Sequence, residues 1–197
     1  MISRPAQRRA ARAARRNIPP AVRRHSARQI ARHVLRLRSL RPGQSIAVYL
    51  PIGAELDTRD LMRGLLTRGC RLYLPRIGSL RSRSMRFIAA DSGPLRRNRI
   101  GISEPSGHRQ LGARWMNIIV LPLVAFDRRG TRLGNGAGYY DRALAFRARR
   151  RYWRGPLLLG LAFSAQAVNH IDHEPHDIPL DGVITEKGLT LFAREPL

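Results

Sequence analysis

The run RGTRLGNGAGYYDR, Arg129 to Arg142, sets Gly130, Gly134, Gly136 and Gly138 within nine positions and follows them at once with Tyr139, Tyr140 and Asp141. Glycine has no β-carbon, so backbone N–H groups there can approach phosphate oxygens closely. Arg132 adds a guanidinium fork suited to a phosphate, and Asp141 offers a hard oxygen ligand to a magnesium ion bridging phosphates. The spacing Gly-x-x-x-Gly-x-Gly-x-Gly is not that of a Walker loop, which requires Gly-x-x-x-x-Gly-Lys-Ser/Thr. A glycine-rich structural turn is the competing account, and Asp127 upstream with Tyr-Tyr-Asp downstream weighs against it.

Other residues carry weaker chemistry. The segment HIDHEPHD holds His170, His173 and His176 with Asp172 and Asp177, a set that could suggest a transition-metal site. The i, i+3, i+6 spacing aligns only loosely on a helix and Pro175 interrupts it, so a polar loop is the better reading. His25, His33 and His108 have no partner pattern and read as surface residues. Cys70 follows a glycine at a helix–strand junction and reads as a small buried hydrophobe. Trp115 and Trp153 read as packing residues rather than stacking platforms. Glu55, by residue type alone, is a surface acid flanking a helix.

These groups sit in an unusually basic chain. Of 197 residues, 37 are Lys or Arg and 13 Asp or Glu, a net charge of +24, and Lys187 is the only lysine. Such a surface attracts polyanions. The arginines run from Arg4 to Arg194 without forming a block, which favours a spread over solvated faces. No RNA- or DNA-binding motif accompanies them, so non-specific RNA binding is the most that charge supports. The single cysteine excludes an internal disulfide and fits a reducing cytoplasm. No apolar run reaches the roughly 18 residues of a membrane span.

The elements that must position the glycine run follow from periodicity. RPAQRRAARAARR, residues 4–16, reads as a helix with a basic face, stopped by Asn17-Ile18-Pro19-Pro20. A second helix spans Ala21 to Leu40, with Val22, Ile30, Val34 and Leu37 toward one side. SIAVYL (Ser45–Leu50) is a buried strand, Asp57 offers an N-cap to a helix through Leu66, and RLYLP is the next strand, giving a β-α-β unit. SMRFIAA, MNIIVLPLVAF and PLLLGLAF add strands. A helix runs from Tyr139 to about Arg151, and DGVITEKGLTLF reads as a terminal hairpin or two short strands turning at Lys187-Gly188. The fold class is α/β: a single three-layer domain over residues 1–197, its mainly parallel or mixed sheet covered by helices on both faces. The glycine run follows a buried strand and opens a helix, the place where open α/β sheets bind ligands.

In that setting LPLVAFDRRGTRLGNGAGYYDR (Leu121–Arg142) resembles the signature of the 5-formyltetrahydrofolate cyclo-ligases, or methenyltetrahydrofolate synthetases. The family pattern Pro-x-x-Ala-Phe-Asp-x-x-Gly-x-Arg-Leu-Gly-x-Gly-x-Gly-Tyr-Tyr-Asp-Arg is matched at every specified position from Pro122 to Arg142. RRAAR (Arg8–Arg12) resembles the family's N-terminal Lys-x-x-Leu-Arg. YLPIGAELDT, RIGISEP, GLAFSAQ and EPHD resemble further family segments, so the likeness covers nearly the whole chain.

The resemblance implies ATP contacts at Arg8, Arg9 and Arg12 and along Arg132, Leu133, Gly134, Asn135, Gly136, Ala137, Gly138, Tyr139 and Tyr140. It implies folate contacts at Leu50, Glu55, Asn135, Gly136, Ala137, Gly138 and Tyr139. It places magnesium on Asp141 and Asp177, and Arg132, Tyr139 and Tyr140 nearest the chemistry. The implied reaction uses ATP to phosphorylate the formyl oxygen of 5-formyltetrahydrofolate. N10 then attacks the activated carbon, giving 5,10-methenyltetrahydrofolate, ADP and phosphate. The basic surroundings suit folates with anionic polyglutamate tails. The expected protein is a cytoplasmic monomer. An Arg-rich N-terminus also suggests a presequence, but the resemblance begins at Arg8 and assigns those arginines to ATP.

Three features depart from the family pattern. Arg8 replaces a lysine, and a planar fork is not a point charge. Met116-Asn117 stand where members often carry an acid. HIDHEPHD is richer in histidine than the pattern. A relative with a changed substrate is the remaining alternative, and the intact Glu55 and Gly-Tyr-Tyr-Asp argue against it.

Overall fold

The computed structural model of the chain describes residues 3–79, 84–98, 101–148 and 155–192. Two helices open it, α1 at Arg4–Asn17 and α2 at Pro20–Leu35. Each carries proline in its first turn, where the missing N–H would have had no partner anyway. α2 ends five residues before the expected Leu40. The N–H groups of Arg36, Leu37 and Leu40 close tight turns onto carbonyls three and four residues back, which brings the chain to Pro42-Gly43. Ile30 and Val34 are fully buried, but Val22 is 49% exposed, contrary to expectation. At about 100° per residue Val22 lies about 80° from Ile30 and about 120° from Val34, outside the arc that meets the core.

The β-α-β unit forms as expected. β1 (Ser45–Ala47) leads through α3 (Arg59–Thr67) to β2 (Arg71–Ser79), which pairs parallel to β1. Asp57 lies one residue before the N-cap position, Thr58, yet it still satisfies a free donor, accepting the Arg59 N–H at 3.0 Å. Gly69, at φ +72°, ends that helix in the left-handed conformation open to glycine. β3 (Ser84–Ala89) turns back antiparallel on β2, β4 (Leu95–Arg97) and β5 (Ser103–Pro105) form a small hairpin, and β6 (Gln110–Leu111) edges β3. β7 (Ile118–Pro122) pairs parallel with β1 on its other side. The remaining strands are β8 (Ala125–Phe126), β9 (Arg132–Leu133), β10 (Leu157–Leu161), β11 (Gly182–Thr185) and β12 (Gly188–Leu191).

The eight-stranded sheet has the order β12-β11-β10-β7-β1-β2-β3-β6, parallel from β11 to β2 and antiparallel at both ends. The architecture is therefore α/β with a mixed, mostly parallel sheet. From β1 the chain moves first one way, to β2, and later the other way, from β7 to β10 and β11. β1 thus marks the switch point beside which a crevice opens at the strand C-termini.

Alternation decides which side chains face which layer. Ile46, Val48, Ile118, Val120, Leu159 and Leu161 pack with α2 and α3. Ala47, Ile119, Leu121, Leu158 and Val183 pack on the opposite face with Leu144 and, half-buried, Tyr140 and Phe146. Cutting Ile30 back to alanine would cost about 2–5 kcal/mol, as emptied core sites do.

The second face carries less helix than expected. α4 covers only Tyr139–Leu144, then tightens into a 3-10 turn at Ala145–Arg147. Arg147 holds that turn by donating to both Asp181 oxygens, each at 2.9 Å. The expected end at Arg151, and Trp153, lie outside the described residues, as do Arg99 and Ile100 of RIGISEP. Among the described residues no helix is long and apolar enough to cross a membrane.

Candidate active site

The glycine run begins as a hairpin. β8 and β9 pair antiparallel across the turn 127–131. Asp127, 2% exposed, braces it: Oδ1 accepts the N–H groups of Arg129 and Thr131 at 2.9 and 3.0 Å, and Oδ2 that of Ile171 at 3.1 Å. Gly130 belongs to this brace and not to a ligand surface. Its φ is +81°, and a Cβ there would come within 2.9 Å of the Phe192 ring and 3.0 Å of the Leu180 carbonyl. The expectation that all four glycines bare the backbone for phosphate is corrected at this position.

Past β9 the chain turns into open space. Gly134, Gly136 and Gly138 line a cavity of about 370 Å³ at the C-terminal ends of the parallel strands. That volume lies within the range of small-ligand sites. Gly136 (φ +98°) and Gly138 (φ +69°) take left-handed conformations, and Gly138 is the N-cap of α4, whose positive end therefore faces the cavity.

Arg132, on β9, is 4% exposed and donates from Nη2 to Asp141 Oδ1 at 2.6 Å. Its buried Nε has no partner among the described residues. A buried guanidinium nitrogen without an acceptor is costly, and other parts of the Arg132 side chain line the cavity.

Helix α1 forms the adjoining wall. It docks over the β8–β9 hairpin through Ala11, which packs with Val124, Ala125, Leu133 and Ile171. Arg8 Nε donates to the Gly134 carbonyl at 3.1 Å, and Arg12 reaches the Asn135 carbonyl and Oδ1 at 3.4 and 3.3 Å. Arg4, half-buried at the cavity edge, grips Asp177 with two hydrogen bonds of 2.7 and 3.2 Å and reaches the Asp172 carbonyl at 2.9 Å. Burial alone would raise the Asp177 carboxyl. The bonds from Arg4 and from the Glu174 N–H outweigh that and hold it below the ordinary range.

The opposite wall is apolar. Tyr49 and Leu50 follow β1, Pro75 and Ile77 come from β2, and Met85 from β3. Glu55 stands where the two walls meet, with Oε2 accepting the Ile52 N–H at 3.1 Å and Oε1 accepting Asn135 Nδ2 at 3.2 Å. Burial, with Glu55 nearby, pushes the phenols of Tyr49 and Tyr140 well up. Both therefore stay protonated at neutral pH and can act as donors but not as bases.

Most residues implicated by the sequence meet here. Arg8, Leu50, Glu55, Arg132, Gly134, Asn135, Gly136, Ala137, Gly138, Tyr139, Tyr140, Asp141 and Asp177 all line the cavity. Arg12 touches it only through Asn135. Arg9 is exposed outside it, and Leu133 is fully buried in the small core beneath α1. Gln166 is consumed in structure, its amide bridging the Phe163 N–H to the Leu123 and Val124 carbonyls. The three histidines do not converge. His170 accepts a hydrogen bond from Arg129 and pairs with Asp172, while His173 is exposed. The donor group that does assemble is Glu174, His176 and Asp177, with ligand atoms within 4.8 Å of one another.

Sequence reasoning missed Arg4, Tyr49, Ile77, Met85, Glu104 and Glu174. Arg4 had a usable signal: positions 4, 8 and 12 fall on one helical face. The apolar residues had none, because a pocket-lining isoleucine and a core isoleucine look alike in sequence.

The comparisons with known proteins bear on the family and the fold. Residues 1–186 match the model of the 5-formyltetrahydrofolate cyclo-ligase family. The chain is 32% identical over 170 residues to the 5-formyltetrahydrofolate cyclo-ligase of Haemophilus influenzae, covering 83% of this chain and 88% of that one. It is 32% identical over 174 residues to the Escherichia coli protein of the same name, covering 87% and 93%. Its fold is similar to that of the Aquifex aeolicus 5,10-methenyltetrahydrofolate synthetase, with a TM-score of 0.82, 26% identity and coverage of 98% and 94%. With residues 1–186 matched and a large part of the signature lining one cavity, the chain belongs to the 5-formyltetrahydrofolate cyclo-ligase family.

Proposed function

We propose that this chain converts 5-formyltetrahydrofolate into 5,10-methenyltetrahydrofolate at the expense of ATP. The observation that carries the reading is the division of one cavity into a bare-backbone, arginine-bearing wall and an apolar wall, meeting at Glu55 and Asn135. The first wall suits phosphates and the second a flat heterocycle.

A formyl amide oxygen is a poor leaving group, and phosphorylation makes it a good one. Transfer of a phosphoryl group depends on positioning and charge neutralisation rather than on a covalent nucleophile. Arg132 and Arg8, the amides around Gly136 and the α4 N-terminus hold the phosphates. Arg132 lines the cavity and brings a guanidinium charge to them. The formyl oxygen takes the terminal phosphoryl group, N10 attacks the formyl carbon and gives up its proton, and the oxygen departs in inorganic phosphate. Tyr140, protonated and half-buried near Glu55 and Arg132, orients a reacting oxygen by donating to it.

The donor set fits magnesium. Asp141, Asp177 and Glu174 supply carboxylate oxygens of the kind a hard cation prefers, and all three line the cavity. Asp141 and Asp177, which pair here with Arg132 and Arg4, are the residues that would hold the ion. The chemistry such an ion would supply there is neutralisation of phosphate charge. The reading further takes residues 1–197 as one domain acting as a cytoplasmic monomer, with polyglutamylated folates suited to its charge.

The test is the near-ultraviolet absorbance of purified protein with 5-formyltetrahydrofolate, magnesium and ATP, since the product's extended conjugation absorbs where the substrate does not. A rise that requires both ATP and magnesium supports the reading. No rise, with ATP still bound, would mean a changed substrate.

A further inference from the structure

Glu104, on β5, is 8% exposed and lines the apolar end of the cavity with Ile77, Met85 and Ile102. One of its oxygens is fully engaged: Oε1 accepts the Ile77 N–H at 2.8 Å and Asn98 Nδ2 at 2.9 Å. Its other oxygen, Oε2, has no hydrogen-bond partner among the described residues. Glu55 differs here, because each of its oxygens already accepts one hydrogen bond, from Ile52 and from Asn135. A carboxylate buried among apolar side chains with an uncommitted oxygen is expensive to keep unless a ligand donor completes it.

A flat nitrogen heterocycle entering that end faces the complementary problem. Its ring carbons gain from Ile77, Met85 and Ile102, but its N–H groups lose water and need acceptors. We infer that Glu104 is a recognition residue for the aminopyrimidinone edge of the folate ring, with Oε2 accepting an N–H of the exocyclic 2-amino group. The inference rests on the folate reading above and assigns the ring's orientation: amino edge toward β5, reacting nitrogens toward the glycine wall. Specificity of this kind is strong, since a buried acceptor rejects a ligand lacking the matching donor.

Glu104→Gln isolates the point. The amide oxygen must stay where Ile77 N and Asn98 Nδ2 donate, so the new NH2 takes the place of Oε2 and opposes the ligand's own donor. The experiment measures binding of 5-formyltetrahydrofolate, and of its analogue with a methyl group replacing the 2-amino group, to wild type and Glu104→Gln by titration calorimetry. ATP affinity and melting temperature are followed in parallel. The wild type is expected to prefer the natural ligand by about 10- to 100-fold, the range of a charge-assisted hydrogen bond, and the variant to show no preference while ATP affinity stays unchanged. A wild type that does not distinguish the two ligands, or a variant that still does, overturns the inference while leaving the proposed reaction intact. A wild type that binds neither folate overturns both. If Glu104→Gln melts early, the wild-type preference alone still decides, as does Glu104→Asp, which shortens the reach but keeps the acceptor and should retain part of the preference.

Discussion

The glycine wall of the cleft is one continuous run of chain from Arg132 to Asp141, whereas the wall opposite draws Leu50, Ile77, Met85, Ile102 and Glu104 from separate segments. The first works through backbone and charge. Its glycines at 136 and 138 turn with positive φ, and its arginine is buried with an acceptor missing. The second works through side-chain shape, with a carboxylate set into it. Phosphates present the same oxygens in every nucleotide, so a local loop can hold them. A particular ring system needs a surface shaped from several directions, which only the assembled sheet provides.

The contrast is broken most severely at Arg132. Replacing it with alanine removes a phosphate donor and leaves Asp141 without its 2.6 Å partner. By analogy with lost transition-state donors, kcat/KM for ATP should fall by about 10²–10³. Steady-state kinetics over a range of ATP concentrations would show it, and a loss under tenfold would take Arg132 out of the phosphate site.

Glu55→Gln sharpens the contrast, because Glu55 stands at the junction. The folate KM should rise by about tenfold, the lower part of the range for a charged hydrogen bond. ATP affinity measured by calorimetry should stay within about twofold. A change in ATP affinity as large as the change in KM would place Glu55 on the nucleotide side.

The smallest effect concerns the clamp that fastens α1. The Asp177 carboxyl is held below its ordinary value, so the stability it contributes is present above the unfolded carboxylate range, near pH 4, and is lost as pH falls through the lower folded value. Melting temperatures of wild type and Asp177→Asn should differ at neutral pH and converge toward acid. Parallel curves down to low pH would mean that Arg4 and Asp177 are not coupled to folding.

The same division governs what could be read from sequence. The glycine wall was legible because its residues are neighbours in the chain and their chemistry needs that order. The β-α-β unit and the terminal hairpin were legible from local periodicity and turn residues. The apolar wall was not, since nothing in RLYLPRI or SMRFIAA says which apolar side chain meets the core and which meets the cavity. Gly130 was assigned to phosphate because its neighbours are. Only the approach of Phe192 and Leu180 shows that it is a packing glycine. α4 gave way to a tighter turn where Arg147 found Asp181, a partner 34 residues away that no local pattern announces.

Following the formyl oxygen tests the central claim, passage of a phosphoryl group from one wall to the other. 5-Formyltetrahydrofolate labelled with oxygen-18 in the formyl group would be turned over with ATP and magnesium, and the inorganic phosphate recovered for mass spectrometry. The account predicts one labelled oxygen in each phosphate released. Unlabelled phosphate, with the label in water, would contradict it, because the formyl oxygen would then have left without ever being phosphorylated.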